Sequence, residues 1–207
     1  LPSIKYSSAG YKGSSYNESN PSAALMKALL IGSTTPLISG YSSSGAPVNL
    51  ASFYSASEAV NDSVAYALGT SGVDFTQGFG HVRLSNVFPL DGSLDTYLFE
   101  AELSAWSNWA EEFEVRATNT DVAITLVWLD PPGPTYCGYY YSEGFSANTC
   151  LVHDLDLVVT TWKPPTFTRL YSNFGAGDGT YSGQTDTLNN VEKTTIAAAS
   201  LSVGTTV

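Results

Sequence analysis

The sequence predicts a mainly β fold, an antiparallel β-sandwich or jelly roll, led by a segment of one helix and many loops. Three observations carry that expectation. From about Gly92 onward, apolar residues recur at every second position, the period of a half-buried strand. Five such runs are separated by turn signals, with no helical pattern between them. Before that point the pattern differs, a single helical run being followed by a long loop-rich stretch.

The lead, "KYSSAGYKGSSYNESN", is rich in Ser, Gly and Tyr and closes at Asn20-Pro21-Ser22. Pro21 or Ser22 opens a helix over "PSAALMKALLIG", where Leu25, Ala28, Leu29 and Gly32 fall at i, i+3, i+4 and i+7. Gly32 is its natural stop. Ser33 to Thr76 is loop-rich, with a short helix expected near Ser57 to Leu68, and gives way to "QGFGHVRLSNVFPL". One helix with many loops does not build a core, so this half is not a domain by itself.

The strand runs are "DTYLFEAEL", "NWAEEFEVRAT", "VAITLVWLD", "LVHDLDLVVTTW" and "NNVEKTTIAA". In the second, Trp109, Phe113 and Val115 share one face, and Glu112, Glu114 and Arg116 the other. "AITLVWL" is apolar on both faces, as a central strand is. In "LVHDLDLVV" the alternation places Asp154 and Asp156 on one face and Leu155, Leu157 and Val159 on the other. No internal repeat or heptad is present.

Composition narrows the function classes. Lys and Arg total 8 against 19 Asp and Glu, a net charge of -11. Nucleic-acid binding needs a basic footprint and is not expected. No apolar run approaches the ~18 residues of a membrane span, since Lys27 interrupts "AALMKALLIG". Cys137 and Cys150 bracket "CGYYYSEGFSANTC", which reads as one disulfide-closed loop in an oxidising compartment; two free thiols are the alternative. Two Cys with the distant His81 and His153 do not compose a zinc site. Asn17 and Asn61 head glycosylation sequons. A secreted or cell-surface protein is expected.

Few residues invite catalysis. Ser71 lies in "GTSG", but the following "GVDFTQGFG" is no helix, and the serine reads as a loop residue. His153 and Asp154 are strand neighbours facing opposite ways, so they do not pair as base and orienting carboxylate. Both histidines read as solvent-facing or hydrogen-bonded. The acids Asp130, Asp154, Asp156, Asp178 and Asp186 have three candidate uses: acid–base chemistry, calcium coordination through carboxylates and loop carbonyls, or acceptance of backbone N–H groups at strand ends. The last is favoured on the residues alone.

Four segments in order resemble one family. "NPSAALMKALLIGS", "QGFGHVRL", "AITLVWLDPPG" and "LVHDLDLVV" with "NNVEKTTI" look like the tail of secreted subtilisin-like serine proteases that carry a C-terminal jelly-roll domain. The resemblance runs from about Asn20 to Ile196. It implies that residues 1–90 are the C-terminal segment of an α/β subtilisin-like catalytic domain, and 93–207 a jelly-roll β-sandwich. The implied function is to stabilise an upstream catalytic domain of the same protein, whose Asp, His and Ser lie before Leu1; this chain holds no catalytic residue. The resemblance also implies structural Ca²⁺, with Asp130, Asp154, Asp156 and Asp186 as the candidate ligands, and a chain that continues beyond Val207. His81 stands where the family has Arg, and His153 where it has Asn. Those departures, with Tyr136, Tyr139, Tyr140 and Tyr141 in the Cys-bracketed loop, point to the alternative: a non-catalytic extracellular adhesion or assembly module, with the Tyr136–Tyr141 loop as its partner surface.

Overall fold

The computed structural model describes residues 4–9, 21–35, 39–41, 44, 47–49, 78–88, 96–116, 120–133, 151–173, 186 and 189–207. Its elements, in chain order, are β1 (Ile4–Ala9), α1 (Ala23–Gly32), β2 (Thr34–Thr35), β3 (Ser39–Tyr41), β4 (Pro47–Asn49), β5 (His81–Val82), β6 (Thr96–Ala101), β7 (Val122–Val127), β8 (Val158–Lys163), β9 (Thr166–Tyr171) and β10 (Val191–Ile196). The described elements are thus mostly strands, with one short helix. The segment expected as a helix near Ser57–Leu68 lies outside them.

The helix forms where its spacing places it. Ser22 caps the start, its Oγ accepting from the Leu25 amide at 3.0 Å, an interaction worth about 1 kcal/mol. Gly32 does not stop the helix by a left-handed turn: it is the last helical residue, and Ser33 caps the end in right-handed helical geometry. Gly32 serves by smallness, since a Cβ there would stand 3.3 Å from Thr125 Oγ1 on β7. The helix end therefore lies close against that strand.

The sheets are small and two-stranded. β7 pairs antiparallel with β10, setting Thr125 opposite Lys193 and Leu126 opposite Glu192. β8 and β9 form an antiparallel hairpin, and β2–β5 and β3–β4 are short antiparallel pairs. β1 and β6 depart from the antiparallel expectation, running parallel in register from Ile4↔Thr96 to Ala9↔Ala101. The Ser-rich lead shows no clear alternation, and a parallel partner so far along the chain leaves no turn signal to find.

A closed sandwich is not formed by the described residues, but two ribbons share a core. Ile124, Val122 and Ile196 from β7–β10 pack with Val159 and Leu170 from β8–β9, together with Val115, Leu157, Leu201 and Val207. The opposite side of β7 takes α1, so β7–β10 lies between helix and hairpin. The last residues extend the hairpin sheet. Thr206 exchanges hydrogen bonds with Trp162 at 2.7 and 2.9 Å, while Val207 and Phe113 exchange two at 2.8 Å. The run "NWAEEFEVRAT" is a strand only there, bridged at Glu114, although Val115 is buried and Glu112, Glu114 and Arg116 are exposed as its alternation predicts.

Leu25 is the buried apolar anchor of α1. Leu25→Ala is expected to cost about 2–5 kcal/mol, as large-to-small core changes do. Urea unfolding of the purified protein measures this; an unmoved midpoint would show that α1 does not pack as described.

Candidate functional site

The described residues that combine burial with charge gather around β10. Glu192 and Lys193 are adjacent in sequence, so their side chains leave the strand on opposite faces. Both are buried, Glu192 being 1% exposed and Lys193 6%. Charged side chains are almost never so buried without partners, and each finds its partners in a different layer.

Lys193 points to the helix side. Its Nζ donates to the Ile31 carbonyl at 3.0 Å, to the Thr34 carbonyl at 3.0 Å and to Thr34 Oγ1 at 2.9 Å. The last turn of a helix leaves carbonyls without intrahelical donors and carries a partial negative charge, so an ammonium fits there on both counts. Ser33 and Thr34 hydroxyls donate back to Leu30 and Ile31 carbonyls, each at 2.7 Å. The Ser33 carbonyl accepts from the Arg83 amide and Asn86 Nδ2, which ties in the "HVRLSN" segment. Burial pushes the Lys193 ammonium down to about 8.

Glu192 points to the hairpin side. Its Oε2 accepts from the Leu157 amide and the Ser172 hydroxyl, while Oε1 is buried without a hydrogen-bond partner. Burial pushes the carboxyl from its ordinary 4.5 up to about 7; the Ser172 and Leu157 donors oppose that shift, and the negative charges of Asp156 and Asp186 add to it. Beside it, Asn173 sits at φ 60°, a left-handed conformation that Asn tolerates. Asn173 Nδ2 donates to Asp186 and to the Val191 carbonyl, and its Oδ1 accepts from the Lys193 amide. Asp186 also accepts from the Asn189 amide and side chain.

Asp130 forms a second, separate cluster. Its carboxylate accepts from the Val152 amide at 2.7 Å and the His153 amide at 2.8 Å, and meets His153 Nδ1 at 3.0 Å. Burial works against its charge, but these donors win and hold the carboxyl below its ordinary range. Trp128 Nε1 donates to the His153 carbonyl at 2.9 Å, fixing the same loop. The segment from Leu151 to Leu157 is not strand, a correction to the expectation for "LVHDLDLVV": the Val152 and His153 amides are taken by Asp130 and the Leu157 amide by Glu192 rather than by a ladder, and β8 begins only at Val158. Asp154 and Asp156 still face outward, while Leu155 and Leu157 are half-buried.

The predicted site residues are therefore divided. Asp154, Asp156, Asp186 and Glu192 share one electrostatic neighbourhood; burial and the charges of Asp156 and Asp186 raise the Asp154 carboxyl above its ordinary value. Asp130 belongs with His153 instead. His153 thus has an orienting carboxylate, though not Asp154, but among the described residues no Ser, Thr or Cys bonds to its ring, and the pair acts as a clasp. His81 is exposed on β5. Among the described residues no three His, Cys, Asp or Glu side chains stand in an arrangement able to hold a metal ion, and no helix is long and apolar enough to cross a membrane. Cys137, Cys150, Asn17, Asn61, Ser71, Asp178 and the Tyr136–Tyr141 loop lie outside the described residues. In sequence Glu192 and Lys193 pass for the solvated positions of a strand, and nothing local marks them as buried. No family model, curated protein or solved structure matches the chain.

The Glu192 geometry sets a pH dependence. Its folded pKa lies above the unfolded one, so its contribution to stability is full below pH 4.5 and is lost as pH rises through about 7. Glu192→Gln, permanently neutral, should match the parent near pH 4 and exceed it in stability above pH 7. Thermal melts of both proteins across that range check this; a constant difference would show that Glu192 keeps its charge when folded.

Proposed function

We propose that the chain is the C-terminal portion of a secreted subtilisin-like serine endopeptidase, and that its role is to complete and stabilise the catalytic domain upstream. The observation that carries this reading is the two-sided burial demand of α1. One side is occupied by β7, which Gly32 approaches closely, and Leu25 is buried. Another presents Met26 and Leu30, which are 45% and 47% exposed and one helical turn apart. A helix apolar on two sides belongs between two layers, and the resemblance of "PSAALMKALL" to the family's helix downstream of the catalytic serine names the second layer as the catalytic sheet.

The two ribbons that share a core support the reading of residues 93–207 as a jelly-roll domain. Acyl transfer by a Ser-His-Asp triad would be the work of the upstream domain. The contribution of this chain is mechanical: Lys193 fastens the helix to β10, and β10 is fastened by Glu192 and Asn173 to the hairpin. An active-site serine probe applied to the intact native protein, with peptide mapping, tests the reading. Covalent labelling on a serine upstream of Leu1 is expected. An unlabelled protein whose upstream region lacks the triad would favour the adhesion or assembly module instead.

A structural calcium ion is part of the same reading. What supports it is the position of Asp154, whose charge is opposed by partial burial and by the nearby charges of Asp156 and Asp186, a conflict that a cation would relieve. The described residues do not complete a coordination shell, and Asp130 is engaged by His153, so further ligands would come from outside them. Calcium at a hundred times its Kd should stabilise the protein by about 2.7 kcal/mol over the chelated state, and Asp154→Asn with Asp156→Asn should remove the gain. Melting curves with calcium and with chelator decide it, an identical pair counting against the ion.

A further inference from the structure

Away from β10, an aromatic group lies along β6. Tyr97, Phe99, Trp109 and Phe113 contact one another with ring centroids 5.1 to 6.4 Å apart. Beyond them, residues 101–112 are exposed throughout. Within that run the Ser107 amide and hydroxyl both donate to the Ser104 carbonyl, at 3.1 and 2.6 Å, closing a turn that lifts Trp106 out of the molecule. Trp106 is 104% exposed and holds φ at 64°.

Two costs meet at that residue. A bulky side chain is uncommon in the left-handed region, where glycine is the usual occupant. A fully hydrated indole forgoes the burial that makes Trp favourable elsewhere. Trp106 takes part in no aromatic pair among the described residues, so nothing there offsets either cost. An observed backbone outlier of this kind motivates a functional reading. The surrounding charge says what kind: residues 91–115 hold two Asp and five Glu and not one Lys or Arg. Of these, Glu102, Glu111, Glu112 and Glu114 are exposed.

We propose that the exposed segment 101–112, with Trp106 as its anchor, is a docking site for a Lys- or Arg-bearing polypeptide segment. Trp is the best aromatic partner for an ammonium or guanidinium lying over its ring, and the exposed Glu102, Glu111 and Glu112 of the same segment can add charge-assisted hydrogen bonds to such groups. Exposed Trp anchors within a polar rim are also the composition of interface hot spots. An anionic membrane would be repelled by the acids, and a neutral glycan would stack on the indoles while making no use of their charge. This inference does not depend on the protease reading.

The test is fluorescence anisotropy of a labelled arginine-rich peptide titrated with the intact native protein, at low and at physiological salt. Saturable binding that weakens with salt is expected, falling at least ten-fold in Trp106→Ala and losing most of its salt dependence in Glu111→Gln with Glu112→Gln. Trp106→Gly suits the left-handed turn and serves as the folded control, binding as weakly as Trp106→Ala at an unchanged melting temperature. Peptide binding that ignores both Trp106 substitutions would be diffuse attraction to a protein of this charge and would overturn the proposal. So would Trp106-dependent binding of neutral oligosaccharides or anionic vesicles in place of the peptide. Protection of Trp106 from oxidation before any peptide is added would also overturn it, showing the face to be covered by the protein itself.

Discussion

One ammonium group holds the layers of this structure together. Lys193 leaves the middle of β10 and ends among the last carbonyls of α1, so that a helix and a strand 162 positions apart share one hydrogen-bonded centre. Removing a cation from water is expensive, and the attraction of a helix C-terminus returns at most about 2 kcal/mol in favourable buried geometry. The arrangement stands because every donor is used and because the alternative, bare carbonyls at a buried helix end, is also costly. Close approach goes with it. Thr125 lies opposite Lys193 in the ladder, and a Cβ at Gly32 would stand 3.3 Å from Thr125 Oγ1, so the glycine eases the packing of the helix end on the strand pair.

The neighbouring residue works in the other sense. Glu192 has two good donors but also an unpartnered oxygen and acidic company, so its buried charge is in conflict with its surroundings. Its value is positional. By accepting from Leu157 and Ser172 together, it fixes the entry to β8 and the exit from β9 against β10. Asn173 repeats the device one residue further on, joining the hairpin exit to Asp186, Val191 and the Lys193 backbone. Polar networks of this kind specify a single arrangement of layers more than they add to its stability.

Much of this was legible in sequence, and the limits have physical causes. The helix, β7, β10 and the β8 half of its run follow from local periodicity and capping, which neighbouring residues alone express. The parallel pairing of β1 with β6 does not, because the lead is polar and its partner is remote. Alternation sets Asp154 and Asp156 on one strand face; both are exposed, but the strand around them is absent because Asp130 and Glu192 take the amides of Val152, His153 and Leu157. The site itself was the least visible part. In "NNVEKTTI" the charged pair looks like ordinary solvated residues, and only partners at Ile31, Thr34, Leu157 and Ser172 turn those positions inward. Asp130 with His153 shows the same thing: neither motif hints at the other.

The span of the lysine contact has a bearing on biosynthesis. Ile31 and Lys193 are 162 positions apart, so the helix leaves the ribosome long before the residue that caps it exists. At 5–20 residues per second the wait is roughly 10 to 30 s. A helix of 10 residues is marginal on its own in water, and loop closure over that distance must precede any gain from the contact. The helix therefore stays provisional until Lys193, far along the chain, has been made and folded back onto it.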